Sequence, residues 1–99
     1  MALLAISVAP GGTGSTSVSE YVAKAIKVAT EDGRVKVELG PMFSTLEGEF
    51  EDVWEVARKM HLALVEAGAP RIATSIKIDD RRDKESTIES KMSALNSRL

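Results

Sequence analysis

Two stretches of the same shape follow one another in this chain, Leu3–Leu39 and Met42–Ile78, and only Gly40-Pro41 separates them. Each reads strand, helix, strand. A two-residue turn cannot carry a crossover, so the strands on either side of it are antiparallel neighbours. That junction, more than any other feature, limits the folds open to the chain.

The period of the apolar residues assigns the elements. In Leu3–Pro10, Leu4, Ile6 and Val8 alternate with Ala5, Ser7 and Ala9, the period of a strand. Arg34–Leu39 alternates strictly. In Met42–Glu49, Phe43, Thr45 and Glu47 share one side, and Ser44, Leu46 and Gly48 the other. In Arg71–Ile78, Ile72, Ile76 and Ile78 lie opposite Ser75 and Lys77. Between strands the spacing changes to threes and fours. Val18, Tyr21, Val22, Ala25, Ile26 and Ala29 form one stripe, behind a capping box at Ser17 and Glu20 and before a stop at Asp32-Gly33. Val53, Val56, Ala57, Met60, Leu64 and Ala67 form the second, within Glu51–Ala67, ended by Gly68 and Pro70.

The order β-α-β-β-α-β predicts an α+β, ferredoxin-like sandwich. Right-handed crossovers place both helices on one face of a four-stranded antiparallel sheet, with the first strand between the third and fourth. A further helix follows. Ser86-Thr87-Ile88-Glu89 matches a capping box, and Ile88, Met92, Leu95 and Leu99 make a narrow apolar stripe. That helix can dock on its own domain or on a neighbour.

Ninety-nine residues fit a single small domain, residues 1–99, whose core is thin. Self-assembly is the natural supplement, and the expectation is a dimer of dimers in which sheet edges or faces meet. The absence of cysteine excludes disulfides, thiolate metal sites and cysteine nucleophiles, and suits a reducing cytoplasm. A net charge of −2 with no basic block argues against a nucleic-acid partner. Met1–Ile6 is apolar but lacks a basic start and soon meets Pro10, so neither a signal peptide nor a membrane span is expected.

The sheet face away from the helices is where chemistry is offered. The alternation places Ser7 near its centre, Thr45 and Glu47 on one neighbouring strand, Ser75 and Lys77 on the other, and Lys36 and Glu38 further out. Hydroxyls, a carboxylate and an ammonium suit a polar, nitrogen-rich ligand. The plainer reading is a solvated face whose charges offset one another. The loop Gly11–Thr16 precedes a helix N-terminus, where Gly12, Thr13, Gly14, Ser15 and Ser17 can hold an anion or simply cap the helix. It is not a P-loop, because no Lys-Ser or Lys-Thr pair follows the glycines.

His61 is the only histidine and suits packing better than metal ligation. Trp54 reads as a packing residue, with ring stacking the alternative. Asp79-Asp80 reads as a salt-bridged strand exit, since Arg81 and Arg82 compete with any cation for its carboxylates. No triad, nucleophile elbow or carboxylate pair stands out, so a binding face is expected rather than a reaction centre.

Several stretches carry a family resemblance: Ser7–Pro10, Gly12-Thr13, Thr16–Ser19, Tyr21–Ala23, Pro41-Met42, Thr45, Glu47-Gly48, His61, Gly68-Ala69, Arg71 and, most specifically, Thr74–Arg81. From Leu3 to about Leu95 the chain resembles the small thiamine-binding protein family. The resemblance implies a ferredoxin-like fold, assembly through sheets into dimers and then tetramers, and binding of thiamine or its hydroxymethylpyrimidine fragment. It implies no established catalysis, so a carrier, store or sensor is expected, with no cofactor required and no metal. Ser7, Thr45, Glu47, Ser75 and Lys77 carry over as ligand residues, Thr13 and Ser15 more weakly. Two other classes remain open: an interaction protein whose polar face is an oligomer interface, and an enzyme on a thiamine precursor with His61 or Glu47 carrying protons.

Overall fold

A computed structural model describes residues 1–12 and 18–99. Its order is β1 (Ala2–Gly11), α1 (Val18–Asp32), β2 (Lys36–Glu38), β3 (Ser44–Gly48), α2 (Phe50–Glu66), β4 (Arg71–Asp80) and α3 (Ile88–Asn96). The four strands form one antiparallel sheet in the order β2-β3-β1-β4. This is the expected ferredoxin-like arrangement, with β1 between β3 and β4.

The outer strands differ in length from their sequence patterns. β2 keeps three residues of the alternating Arg34–Leu39 run, and β3 begins only at Ser44. Gly40 explains the shortening. A Cβ there would collide with the Phe43 carbonyl oxygen, so the chain turns too tightly after Glu38 to keep both strands paired. β4 runs longer than expected, because Asp79 and Asp80 still pair with Leu3 and Ala2.

The core lies between the sheet and the two long helices. Leu4 faces Leu46 and Ile78 across the neighbouring strands, and Val37 continues that rung beyond Leu46. Leu4, Leu46, Val53, Val56, Met60 and Leu64 are fully buried, so α2 covers the sheet with the stripe its sequence predicts. α1 contributes small residues, Ala25 and Ala29, which let it approach closely. Gly68 adopts φ +89°, the left-handed geometry that ends a helix, and the Gly68 and Ala69 amides return to the Val65 and Leu64 carbonyls.

One ionic tie joins the two long helices. Asp32 accepts from Arg34 Nε at 2.7 Å and Nη2 at 3.0 Å, and from Lys59 Nζ of α2 at 2.7 Å. These partners hold its carboxyl well below the usual carboxylate range, the Arg34 hydrogen bond first and the Lys59 bond second. They also offset a negative charge at the C-terminal end of α1, where the helix dipole disfavours one.

Candidate functional site

The strand register arranges the helix-free face as cross-strand rungs. Residues directly opposed in antiparallel strands point to the same face. Lys36, Glu47, Leu3 and Asp79 form one rung; Glu38, Thr45, Ala5 and Lys77 form the next; Ser7 and Ser75 follow. All five ligand residues expected from the sequence therefore share one face, within three successive rungs.

They do not share one hollow. A depression of about 210 Å³ is lined by Leu3, Ala5, Thr45, Lys77, Asp79 and Lys91. Thr45 and Lys77 belong to it, and Glu47 is one rung away. Ser7 instead lines a separate hollow of about 100 Å³ with Gly40, Pro41 and Met42, and Ser75 is solvent-exposed on β4.

The C-terminal helix supplies the far wall. Glu47 Oε1 accepts the Ile88 amide at 2.6 Å, and Lys91 Nζ donates to Asp79 Oδ2 at 2.6 Å. These contacts tie the first turn of α3 to its own sheet. Leu3, between Glu47 and Asp79 on their rung, is only 7% exposed although it sits on the open face. Beyond that turn the stripe is uncovered, with Met92, Leu95 and Leu99 all exposed.

The capping box of α3 is shifted by one residue from its sequence reading. Thr87, not Ser86, is the N-cap: its Oγ1 accepts from the Ser90 amide, while Ser90 Oγ accepts from the Thr87 amide, both at 3.0 Å. The shift is what presents the Ile88 amide to Glu47. A hydroxyl serves at Ser90 in place of the expected Glu89 carboxylate.

The electrostatics of the hollow centre on Asp79. The Lys91 hydrogen bond and charge, with smaller contributions from Arg81 and Lys77, lower its carboxyl. Lys77 adds the smallest of these contributions, from two residues away along its own strand. The strand exit is salt-bridged as anticipated, through Asp80 with Arg82 and Asp83 with Arg81, each at 2.7 Å. Among the described residues no group of three His, Asp or Glu side chains gathers as a metal site.

Asp79, read from the sequence only as part of the strand exit, and Lys91 both line the hollow without having been expected there. Asp79 was detectable, because it continues the parity of Ser75 and Lys77. Lys91 was not, since its position depends on α3 folding back onto the sheet.

The other singled-out residues lie elsewhere. His61 Nδ1 lies 2.7 Å from Thr74 Oγ1, and Thr74 opposes the buried Val8, so His61 sits on the helix side of the sheet, away from Glu47. Trp54 is on the same side. Of the anion-loop residues, Thr13, Gly14, Ser15 and Ser17 lie outside the described residues, as does the Ser17–Glu20 capping box. Gly12, where the loop leaves the sheet, adopts φ +66°. It is seven residues from Ala5 along β1, about 23 Å at 3.3 Å per residue.

The chain matches known proteins over nearly its whole length. The family model described as thiamine-binding protein covers residues 4–96. The UPF0045 protein YqgV of Bacillus subtilis is 41% identical over 102 residues, spanning 100% of this chain and 98% of that protein. A hypothetical protein of Methanocaldococcus jannaschii superposes with a TM-score of 0.84 at 38% identity, covering 96% of each chain. A Thermotoga maritima protein, described as a candidate thiamine biosynthesis/salvage protein, superposes with a TM-score of 0.79 at 30% identity, covering 95% of this chain and 97% of that one. Among the described residues, no helix is long and apolar enough to cross a membrane.

Proposed function

This chain belongs to the thiamine-binding protein family, and on that footing we propose that it binds thiamine, or its hydroxymethylpyrimidine part, against the sheet face opposite α1 and α2 without transforming it. The observation that carries the reading is the hollow of about 210 Å³ that gathers Thr45, Lys77 and Asp79 beside Glu47. Its volume is below the ~300 Å³ at which ligand clefts usually begin, which suits one substituted ring rather than two. The aminopyrimidine ring presents an exocyclic amine and ring nitrogens. Glu47 accepts from the amine through the oxygen that Ile88 leaves free, and Thr45 donates or accepts at the ring edge. Ser7 and Ser75 extend the polar face toward the thiazolium side.

The role is that of a carrier, store or sensor, with no cofactor required. We propose further that the protein is a cytoplasmic homotetramer, a dimer of dimers, in keeping with its small core and its lack of cysteine. The loop from Gly12 to Ser17 is a second, anion-binding locus. Its root stands at the opposite end of β1 from the hollow, so phosphate binding there is separable from ring binding.

Calorimetric titration with thiamine and with hydroxymethylpyrimidine tests the ring site. Wild type should bind, and Glu47→Gln should weaken binding by about 2–4 kcal/mol, the scale of a lost hydrogen bond to a charged group plus an unpaired amine. Thr45→Val should weaken it by about 1 kcal/mol. Equal affinity in wild type and both variants moves the site elsewhere. No binding by wild type leaves the polar face as an interaction surface.

A further inference from the structure

Among the described residues, two polar ties join α3 to the sheet, and both lie within its first four residues. Glu47 accepts the Ile88 amide and Asp79 accepts Lys91 Nζ. From Glu89 to Leu99 every residue is exposed. A nine-residue helix is too short to be stable alone in water, so its docking has to hold it. That docking is slight. Lys91 and Asp79 are 58% and 43% exposed as they bond, and water competes for such a pair.

The chain leading into α3 is equally loose. The Arg81 amide still donates to the Met1 carbonyl, and Arg82 is held by Asp80 and by the face of the Phe50 ring. At the other end, Thr87 and Ser90 close the cap of α3 on itself. Between these anchors no backbone hydrogen bond holds Lys84, Glu85 or Ser86 among the described residues. We infer that α3 is a lid on the hollow, hinged at Lys84–Ser86, which a bound ring draws shut. The inference rests on the ring site proposed above and adds its regulation.

A ligand shifts such an equilibrium only through contacts it makes in one state and not in the other. Lys91 is that contact. It lines the hollow with Thr45, Lys77 and Asp79, and it is there only while α3 is docked. An ammonium carries three donors, so with one on Asp79 Oδ2 two remain for ring nitrogens. Leu3, the apolar floor, lies between the two tie points on its rung, so a ring held there sits under the first turn of α3.

The ties leave room for ligand and helix together. Each commits one carboxylate oxygen, Glu47 Oε1 and Asp79 Oδ2, and leaves the other for a ligand amine. A strap that blocked the hollow until displaced would instead need helix and ligand to compete for the same oxygens. Coupling of this kind is reciprocal: the factor by which the ring tightens α3 is the factor by which loosening α3 weakens the ring.

Proline at position 88 separates lid from strap. Ile88 is the first helical residue of α3, and Thr87 before it is extended (φ −118°, ψ 164°), so the backbone accepts proline there. Ile88→Pro removes the amide that Glu47 accepts and leaves that carboxylate wholly to the ligand. Ile88→Ala, which sheds the same side chain but keeps the amide, is the reference. A lid predicts that Ile88→Pro binds thiamine and hydroxymethylpyrimidine about fivefold more weakly than Ile88→Ala, whereas a strap predicts tighter binding. Hydrogen exchange reads the reciprocal effect: saturating thiamine should slow exchange across Lys91–Asn96 about fivefold in wild type and less in Ile88→Pro. Protection of β1 checks that the sheet is kept. Were Ile88→Pro to lose it, Lys91→Met cuts the other tie, and thiamine should then no longer slow exchange in α3. Slowing as large in Lys91→Met as in wild type overturns the lid. Thiamine bound by wild type with exchange in α3 unchanged or faster overturns the lid and leaves the ring site standing, as does a folded Ile88→Pro that binds at least as tightly as Ile88→Ala. Failure of wild type to bind either compound overturns the ring site and the lid with it.

Discussion

Glu47 and Ile88, 41 residues apart in sequence, meet where the carboxylate accepts the first amide of α3 at 2.6 Å. An anion at a helix N-terminus satisfies an orphan donor and opposes the positive end of the helix dipole. The carboxylate expected to contact the ligand therefore also fastens the wall of the ligand hollow. One of its oxygens is committed, and a ligand amine competes for the other.

Glu47→Ala should loosen α3 as well as impair binding. The expected cost is about 1–2 kcal/mol of stability, the range for a charge-assisted hydrogen bond with partial solvent access. Hydrogen exchange at Ile88 and the residues after it should speed up, while exchange in β1 stays unchanged. Equal protection of α3 in variant and wild type would mean that Lys91–Asp79 holds the helix by itself.

Asp32 predicts an acid-sensitive tie between α1 and α2. Its folded-state carboxyl titrates well below the ordinary range because Arg34 and Lys59 bond to it. A depressed carboxyl contributes stability that is complete above the unfolded-state value, near pH 4, and is lost as pH falls through the folded-state value. Asp32→Asn should thus lower the melting temperature at pH 7. The gap between variant and wild type should shrink below about pH 4. A gap that stays constant down to pH 2 would assign the effect to packing rather than charge.

The two halves were legible because each rests on local pattern. The alternation in Leu3–Pro10 and the three-four spacing of Val53 to Leu64 survive in the structure almost residue for residue, and Gly40-Pro41 settles the pairing between them. The common face of Ser7, Thr45, Glu47, Ser75 and Lys77 follows from the same parity. What parity cannot supply is which of these side chains meet. Asp79 bonds Lys91 of α3, and the hollow closes only because α3 doubles back through Glu47. Such contacts depend on where a loop delivers a helix, and the charge run from Asp79 to Lys84 has no periodicity from which to read that.

The tight turn at Gly40 should be intolerant of a side chain. An added Cβ collides with the backbone carbonyl of Phe43, which cannot swing away as a flexible side-chain end would. Gly40→Ala is expected to destabilise by about 1–3 kcal/mol, the usual cost of forcing backbone shifts in a packed region. Urea denaturation would show it as a lower midpoint at unchanged slope. An unaltered midpoint would mean that the β2–β3 connection relaxes freely.

The last prediction concerns charge selectivity in the hollow, and it follows from the proposed ligand. Two ammonium groups, Lys77 and Lys91, line it against one carboxylate, Asp79, which already bonds Lys91. Lys77 is thus the cation whose bonding is least committed. A positive thiazolium is repelled by such a group and a phosphate ester attracted, by roughly 1 kcal/mol at short range in water-like surroundings. Lys77→Met keeps the length of the side chain and removes its charge. It should shift the ratio of affinities for thiamine and thiamine monophosphate about fivefold toward thiamine, with a weaker dependence on salt. Titration of both ligands at two ionic strengths measures the ratio. A ratio that does not move would place the charged end of the ligand away from Lys77, toward Ser7 and Ser75 or off the sheet face altogether.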